Sequence, residues 1–75
     1  MDPTVQATIF AASLRRMSAW YARHPDPGTM SPLDAVRVAL SDTAIAFEKA
    51  SKGFVWVGQN EWGPFRPKPS DFETP

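Results

Sequence analysis

The chain has 75 residues, of which 43% are hydrophobic, and it contains no cysteine. A domain of this size buries only about 60% of the surface that its unfolded chain exposes, so we expect a single thin core without disulfides. Eight basic and eight acidic residues cancel, which leaves no net charge to attract nucleic acid or an anionic membrane.

The sequence also lacks the signals of membrane insertion and secretion. No apolar run reaches the roughly 20 residues that a membrane-spanning helix needs. The N-terminus does not combine a basic segment with an uninterrupted apolar stretch, as a signal peptide would. We therefore expect a soluble, cytoplasmic protein in which self-association, as a homodimer, adds stability to the small core.

The first predicted helix begins at Pro3, with Asp2 as its N-cap. It should stop near His24, because the proline that follows disfavours helical geometry at the preceding residue. Residues 25–30 are rich in turn formers and are predicted to be a loop. One face of this helix is apolar and is expected to face the core: Ile9, Phe10, Leu14, Met17, Trp20 and Tyr21.

The second predicted helix begins after Ser31, a serine cap followed by Pro32, and ends before Gly53. Its main apolar stripe recurs at spacings of three and four and is expected to face the core: Leu33, Val36, Leu40, Ala44 and Phe47. Alanines flank this stripe on one side and would permit close helix approach. The predicted fold class is therefore mainly α, an antiparallel helical hairpin.

Val38 and Ile45 form a smaller apolar pair on the other side of the second helix. Two interpretations are open for them. The C-terminal segment could pack over both residues, which is the interpretation we adopt, or they could belong to an association seam about two turns long.

Phe54 to Val57 are β-branched or aromatic and lie between two glycines, which predicts a short strand. A strand needs a hydrogen-bonding partner. Residues 62–66, across a turn, are the partner that this chain offers, although Pro64 interrupts them. The alternative is pairing with another chain.

The sequence divides into a helical domain with a short strand, residues 1–58, and a proline-rich C-terminal arm, residues 59–75. The arm should be extended, without regular helix, and mobile beyond Phe72. The last third of the chain holds five of the nine aromatic residues. We expect Phe54 and Trp56 to complete the core.

For the aromatic residues of the arm, two interpretations stay open. Trp62, Phe65 and Phe72 either fold back onto the helices or, together with Arg66, anchor a partner protein. The second interpretation rests on the small entropy that proline-stiffened segments lose on binding, and the two interpretations carry equal weight.

The motifs of common enzymes are missing: the chain has no glycine-rich phosphate loop, no nucleophile elbow and no pair of metal-binding histidines. His24, the only histidine, is expected at a solvent-facing helix end. The carboxylates of Asp34, Asp42 and Glu48 are expected to be solvated. We therefore predict no catalytic residues, no metal and no cofactor.

The predicted function is that of a small non-enzymatic protein-interaction module, such as an adaptor, inhibitor or regulatory subunit, which occupies a surface of a larger protein. The predicted partner-binding residues are Trp62, Phe65, Arg66 and Phe72, and the predicted dimer or second contact comprises Val38, Ile45 and Trp56. The alternative is a nucleic-acid-binding protein that uses the aromatic residues of the arm and the arginines of the first helix: Arg15, Arg16 and Arg23.

Overall fold

A computed structural model of the protein describes residues 2–24, 28, 30–59 and 61–72. Helix α1 spans Pro3–Arg23 and helix α2 spans Pro32–Ser51; strand β1 spans Phe54–Gly58, strand β2 spans Glu61–Pro64, and a short 3₁₀ helix spans Pro69–Phe72. The predicted mainly helical fold class is confirmed, with a two-stranded antiparallel sheet added.

Local capping fixes where both helices begin. The Asp2 carboxylate accepts a hydrogen bond from the Thr4 amide at 2.7 Å, and the Ser31 hydroxyl accepts one from the Asp34 amide at 3.2 Å. A proline follows each cap. Helix α2 ends where Gly53 adopts a φ of 82°, a conformation that favours glycine. The predicted helix limits are therefore confirmed.

Strand β1 finds its partner within the same chain. It pairs antiparallel with β2, with Phe54 opposite Pro64 and Trp56 opposite Trp62. Pro64 is the last residue of β2, a position where a missing N–H is tolerated. Of the two pairings that the sequence left open, the structure has the internal hairpin.

The core lies between α1, the C-terminal half of α2 and β1. Two small clusters fill it, the first around Ile9, Ala50 and Val55 and the second around Met17, Ala46 and Trp56. Residues near the start of α1 thus meet the end of α2, whereas Met17, further along α1, meets an earlier residue of α2.

The predicted core stripe of α2 is wrong. Its large side chains are exposed, with Leu33 at 60%, Val36 at 55%, Leu40 at 66% and Phe47 at 54%, and Ala44 is exposed as well. In the C-terminal half of α2, Ala46 and Ala50 are buried instead, both at 0% exposure, whereas Ala35 and Ala39 in the N-terminal half are exposed. The buried part of α2 is therefore confined to the small side chains near its C-terminal end.

Two aromatic residues also depart from the predicted core. Tyr21 of α1 is 52% exposed and Phe54 of β1 is 39% exposed, whereas Trp56 is buried as expected. Phe54 and Trp56 lie two apart on one strand, so their side chains share a face of the sheet. Trp56 packs in the second core cluster with Met17 and Ala46, whereas Phe54 belongs to neither of the two clusters.

The interpretation that the C-terminal segment packs over Val38 and Ile45 is wrong, because both side chains are exposed. Val38 is 43% exposed and Ile45 is 41% exposed. The hairpin packs against the C-terminal half of α2, so it does not reach Val38. Ile45 borders the cleft described below.

The arm contains a regular turn that the sequence did not predict. The Asp71 amide donates to the Lys68 carbonyl at 3.0 Å, and the Asp71 carboxylate accepts from the Lys68 amide at 2.9 Å. These two bonds close the 3₁₀ helix on itself. The predicted mobile tail beyond Phe72 and most of the predicted loop lie outside the described residues. In the part of the chain that is described, no helix is long and apolar enough to cross a membrane.

Candidate binding surfaces

A buried ion pair fastens the end of the chain to α1. The Arg16 guanidinium holds the Asp71 carboxylate through two hydrogen bonds, Nε to Oδ1 at 2.9 Å and Nη2 to Oδ2 at 2.7 Å. The two side chains are 11% and 3% exposed. Paired bonds of this kind are among the stronger polar contacts in proteins.

The same guanidinium reaches two further segments. Arg16 donates to the Trp56 carbonyl at 3.3 Å and to the Arg66 carbonyl at 3.2 Å, and Arg15 donates to the Asp71 carbonyl at 2.9 Å. The Arg16 hydrogen bond lowers the pKa of Asp71 below its ordinary value, although burial of the carboxylate opposes this effect. One arginine thus joins α1, β1 and the arm.

These contacts hold the arm against α1, and the predicted partner-binding residues of the arm differ in how far they are exposed. Trp62 and Phe65 are half-buried and pack against the two core clusters of their own chain. Arg66 is exposed, while Phe72 is 72% exposed. The arm therefore presents one unobstructed ring, Phe72, rather than a four-residue cluster.

The arginines of α1 are similarly divided. Arg15 and Arg16 are bonded to carbonyls and a carboxylate of their own chain, as described above, whereas Arg23 is exposed at the end of α1. All three arginines line one cleft together with Lys68. Arg15 and Arg16 are already bonded to oxygens of their own chain, and guanidinium groups held in this way contribute less to phosphate contacts than free ones.

Sequence reasoning missed Ser13 and Asp71, and it considered Arg16 only as a nucleic-acid contact. The Ser13 hydroxyl is fully buried and accepts a hydrogen bond from the Trp56 amide at 3.0 Å. Ser13 is a polar residue between Ile9 and Met17 on the apolar face of α1, and this position could have identified it from the sequence. Asp71 carried no such signal, because its partner lies 55 residues away.

The apolar stripe of α2 forms the first candidate surface. Leu33, Val36, Leu40 and Phe47 are all more than half exposed. From Leu33 to Phe47 the helix rises roughly 21 Å. The Phe47 ring meets Phe10 of α1 edge to face, with centroids 5.4 Å apart, so the stripe continues onto α1 at this end.

An aromatic cleft forms the second candidate surface. It has a volume of about 340 Å³ and contains all three tryptophans of the chain. Trp56 is buried, Trp20 and Trp62 are half-buried, and Tyr21 is exposed at the cleft. The remaining lining residues are Met17, Asp42, Ile45 and Gln59.

Trp20 is held in place by contacts with several rings. His24 stacks on it, with centroids 4.2 Å apart and planes 15° from parallel, and Trp56 meets it edge to face at 6.2 Å. Tyr21 makes a second edge contact at 5.1 Å. His24, expected at a solvent-facing helix end, is exposed there but also supports this ring.

A smaller cleft of about 220 Å³ lies on the other side of Trp20 and Trp56. Its described lining includes four basic side chains, Arg15, Arg16, Arg23 and Lys68, together with the Asp71 carboxylate that Arg16 holds. The two clefts therefore share an aromatic wall and differ in charge. Among the residues that the structure describes, no group of three or more metal-binding side chains comes together.

Of the residues predicted for a dimer or second contact, Val38 and Ile45 are exposed on α2, and Trp56 is 7% exposed, largely enclosed by its own core. No family model, curated protein or solved structure matches the chain. The surfaces themselves are therefore the basis for a functional proposal.

Proposed function

We propose that the protein is a small, non-enzymatic, cytoplasmic protein-interaction module that docks α2 into an apolar groove of a larger protein. In this proposal the two helices form an antiparallel hairpin, which holds α2 by its alanine side. The exposed stripe of α2 carries the proposal, because an amphipathic helix that binds a groove uses anchors at spacings of three, four and seven residues.

The spacing of the stripe fits this mode. Val36 lies three residues after Leu33, Leu40 four residues later, and Phe47 seven residues after that. All four project from one side of a helix whose C-terminal half is anchored in the core by Ala46 and Ala50. The anchors are thus large, apolar and presented on a preformed helix, which lowers the entropy lost on binding.

The border of the stripe is polar and carries both signs of charge. Arg37 pairs with Asp34 at 3.6 Å, and Lys52 pairs with Glu48 at 3.4 Å. An apolar centre surrounded by such a rim is typical of protein interfaces. We infer a partner groove that is apolar along roughly 21 Å and polar at its edge.

The first prediction concerns this stripe. Leu40→Glu places a charge at its centre, and we expect the Kd for the partner to rise by at least tenfold, because truncating or charging a central anchor typically costs about 2 kcal/mol of binding or more. Partners are captured on immobilised protein from the source cell, identified by mass spectrometry and then purified for titration.

Val38→Glu is the matched control, since it makes the same kind of change on the same helix at a residue outside the stripe. Circular dichroism checks that both variants remain helical. A partner that binds wild type and Leu40→Glu equally, but not Val38→Glu, would move the interface to the Val38 and Ile45 side. A protein retained equally by all three would refute α2 as the docking helix.

A further inference from the structure

We propose that the aromatic cleft binds a methylated ammonium group, carried either by a free small cation or by a methylated lysine side chain. The electron-rich faces of tryptophan and tyrosine attract quaternary ammonium groups, and several such rings around one cavity form the usual recognition site for them. This site is separate from the α2 stripe and does not depend on the proposed function.

Four aromatic rings line the cleft. Trp20, Tyr21, Trp56 and Trp62 all line it, and a chain with one tyrosine and three tryptophans has placed every one of them there. Burial of the core does not require this arrangement, because Tyr21 is 52% exposed and Trp62 is half-buried.

The cleft also contains a negatively charged side chain. Asp42 is the one ionisable side chain among the described lining residues, apart from the tyrosine. It is half-buried, and within the described part of the chain neither a hydrogen bond nor an ion pair engages its carboxylate. The neighbouring carboxylates Asp34 and Glu48, by contrast, have cationic partners.

A half-buried aspartate in a cleft lined by aromatic rings is complementary to a cation that is bulky and weakly hydrated. An ordinary ammonium or a metal ion keeps its water more tightly and gains less from the rings, whereas a methylated ammonium presents apolar methyl groups to them. The volume of about 340 Å³ lies within the range of small-ligand sites.

Two of the tryptophans that line the cleft are held in place by other groups of the chain. Trp20 is fixed by the stacked His24 ring and by the edge of Trp56, and the Trp56 amide is held by Ser13. The Trp56 carbonyl is held by Arg16. A cavity whose rings are already placed loses little entropy on binding.

The test uses tryptophan fluorescence, because every tryptophan of the chain lines the cleft. Choline chloride is titrated into the purified full chain at constant ionic strength, and we expect a saturable change in emission with a Kd on the order of 1 mM. The control ligand is 3,3-dimethylbutan-1-ol, which has the shape of choline without its charge. We expect it to bind at least fivefold more weakly.

Two variants probe the charge and the rings separately. Asp42→Asn should raise the Kd for choline about fivefold by removing the carboxylate, and Tyr21→Leu should raise it about threefold by removing an exposed ring. Asp34→Asn removes the same charge from the same helix outside the cleft and should leave the Kd unchanged. Both substituted cleft residues are at least partly exposed, so the fold is expected to tolerate them.

The source of the ammonium group is decided by a third ligand, a short peptide with one trimethylated lysine. Binding of this peptide at least tenfold tighter than choline assigns the site to a modified protein, and equal affinity assigns it to a small cation. The proposal is overturned if choline and its neutral analogue bind equally, if neither changes the emission, or if Asp42→Asn binds choline as wild type does.

Discussion

Single residues at the centre of this fold make contacts whose cost of removal can be stated. Ser13 satisfies the Trp56 amide inside the core, and Arg16 joins three segments through one guanidinium. For a chain of this length, with a total stability of about 4 to 11 kcal/mol, either contact is a large fraction of the whole.

The Arg16–Asp71 pair makes stability depend on acid pH. The pKa of Asp71 is lowered in the folded state, so its ionised form stabilises the fold fully above the ordinary value near 3.8. This contribution is lost as the pH falls through that value towards the lower folded-state pKa. We expect the free energy of unfolding of the wild type to fall more steeply below about pH 4 than that of Asp71→Asn.

At pH 7 the same variant should be less stable by about 3 kcal/mol, because it leaves the Arg16 charge buried without its partner. Urea denaturation from pH 2 to 7 measures both effects. Asp34→Asn is the control, since its exposed ion pair contributes less than about 1 kcal/mol. A parallel decline for wild type and Asp71→Asn below pH 4 would show that the pair does not drive the acid response.

At the scale of elements, the faces of α2 differ in how far they are buried. Ala46 and Ala50, in its C-terminal half, are packed in the core, and its large apolar side is left exposed along the whole helix. The usual assignment, in which the most hydrophobic face of a helix is the core face, fails here because α2 carries two periodic apolar faces.

Two matched substitutions test which face is buried. Ala46→Leu adds three carbon atoms to a residue that is 0% exposed, and we expect it to destabilise the fold by about 1 to 3 kcal/mol through overpacking. Ala44→Leu makes the same change at an exposed residue two positions away and should shift stability by less than about 0.5 kcal/mol. Urea denaturation at low protein concentration measures both.

If Ala44→Leu were the more destabilising of the two, the stripe would be the buried face and the orientation of α2 described above would be wrong.

The two strands of the hairpin differ in how clearly their sequences predict a strand. Strand β1 was identified by its composition, while its partner β2 contains a glycine and a proline and became a strand only through pairing with β1.

The whole molecule exposes more surface than its mass requires. A compact protein of 8.3 kDa exposes about 4,600 Å², whereas this chain exposes 5517 Å². Its radius of gyration is 12.8 Å, compared with about 11.3 Å for a compact chain of this length. The large apolar side chains of the α2 stripe lie on this exposed surface.

In the absence of another partner we expect a second copy to cover this area, in line with the homodimer expected from the size of the core. Since the net charge is zero, two copies do not repel each other strongly. Sedimentation velocity should show a dimer that dissociates on dilution, and Leu40→Glu should sediment as a monomer throughout. A wild type that stays monomeric up to millimolar concentration contradicts self-association.

The sequence by itself determined the limits of both helices and the existence of β1, because caps, prolines and glycines act on their immediate neighbours. Only the tertiary structure decided which face of α2 is buried, how Asp71 reaches Arg16 and why all three tryptophans meet in one cleft. These features depend on contacts between residues some 30 to 55 positions apart, which caps, turns and periodicity do not specify because they act only on near neighbours.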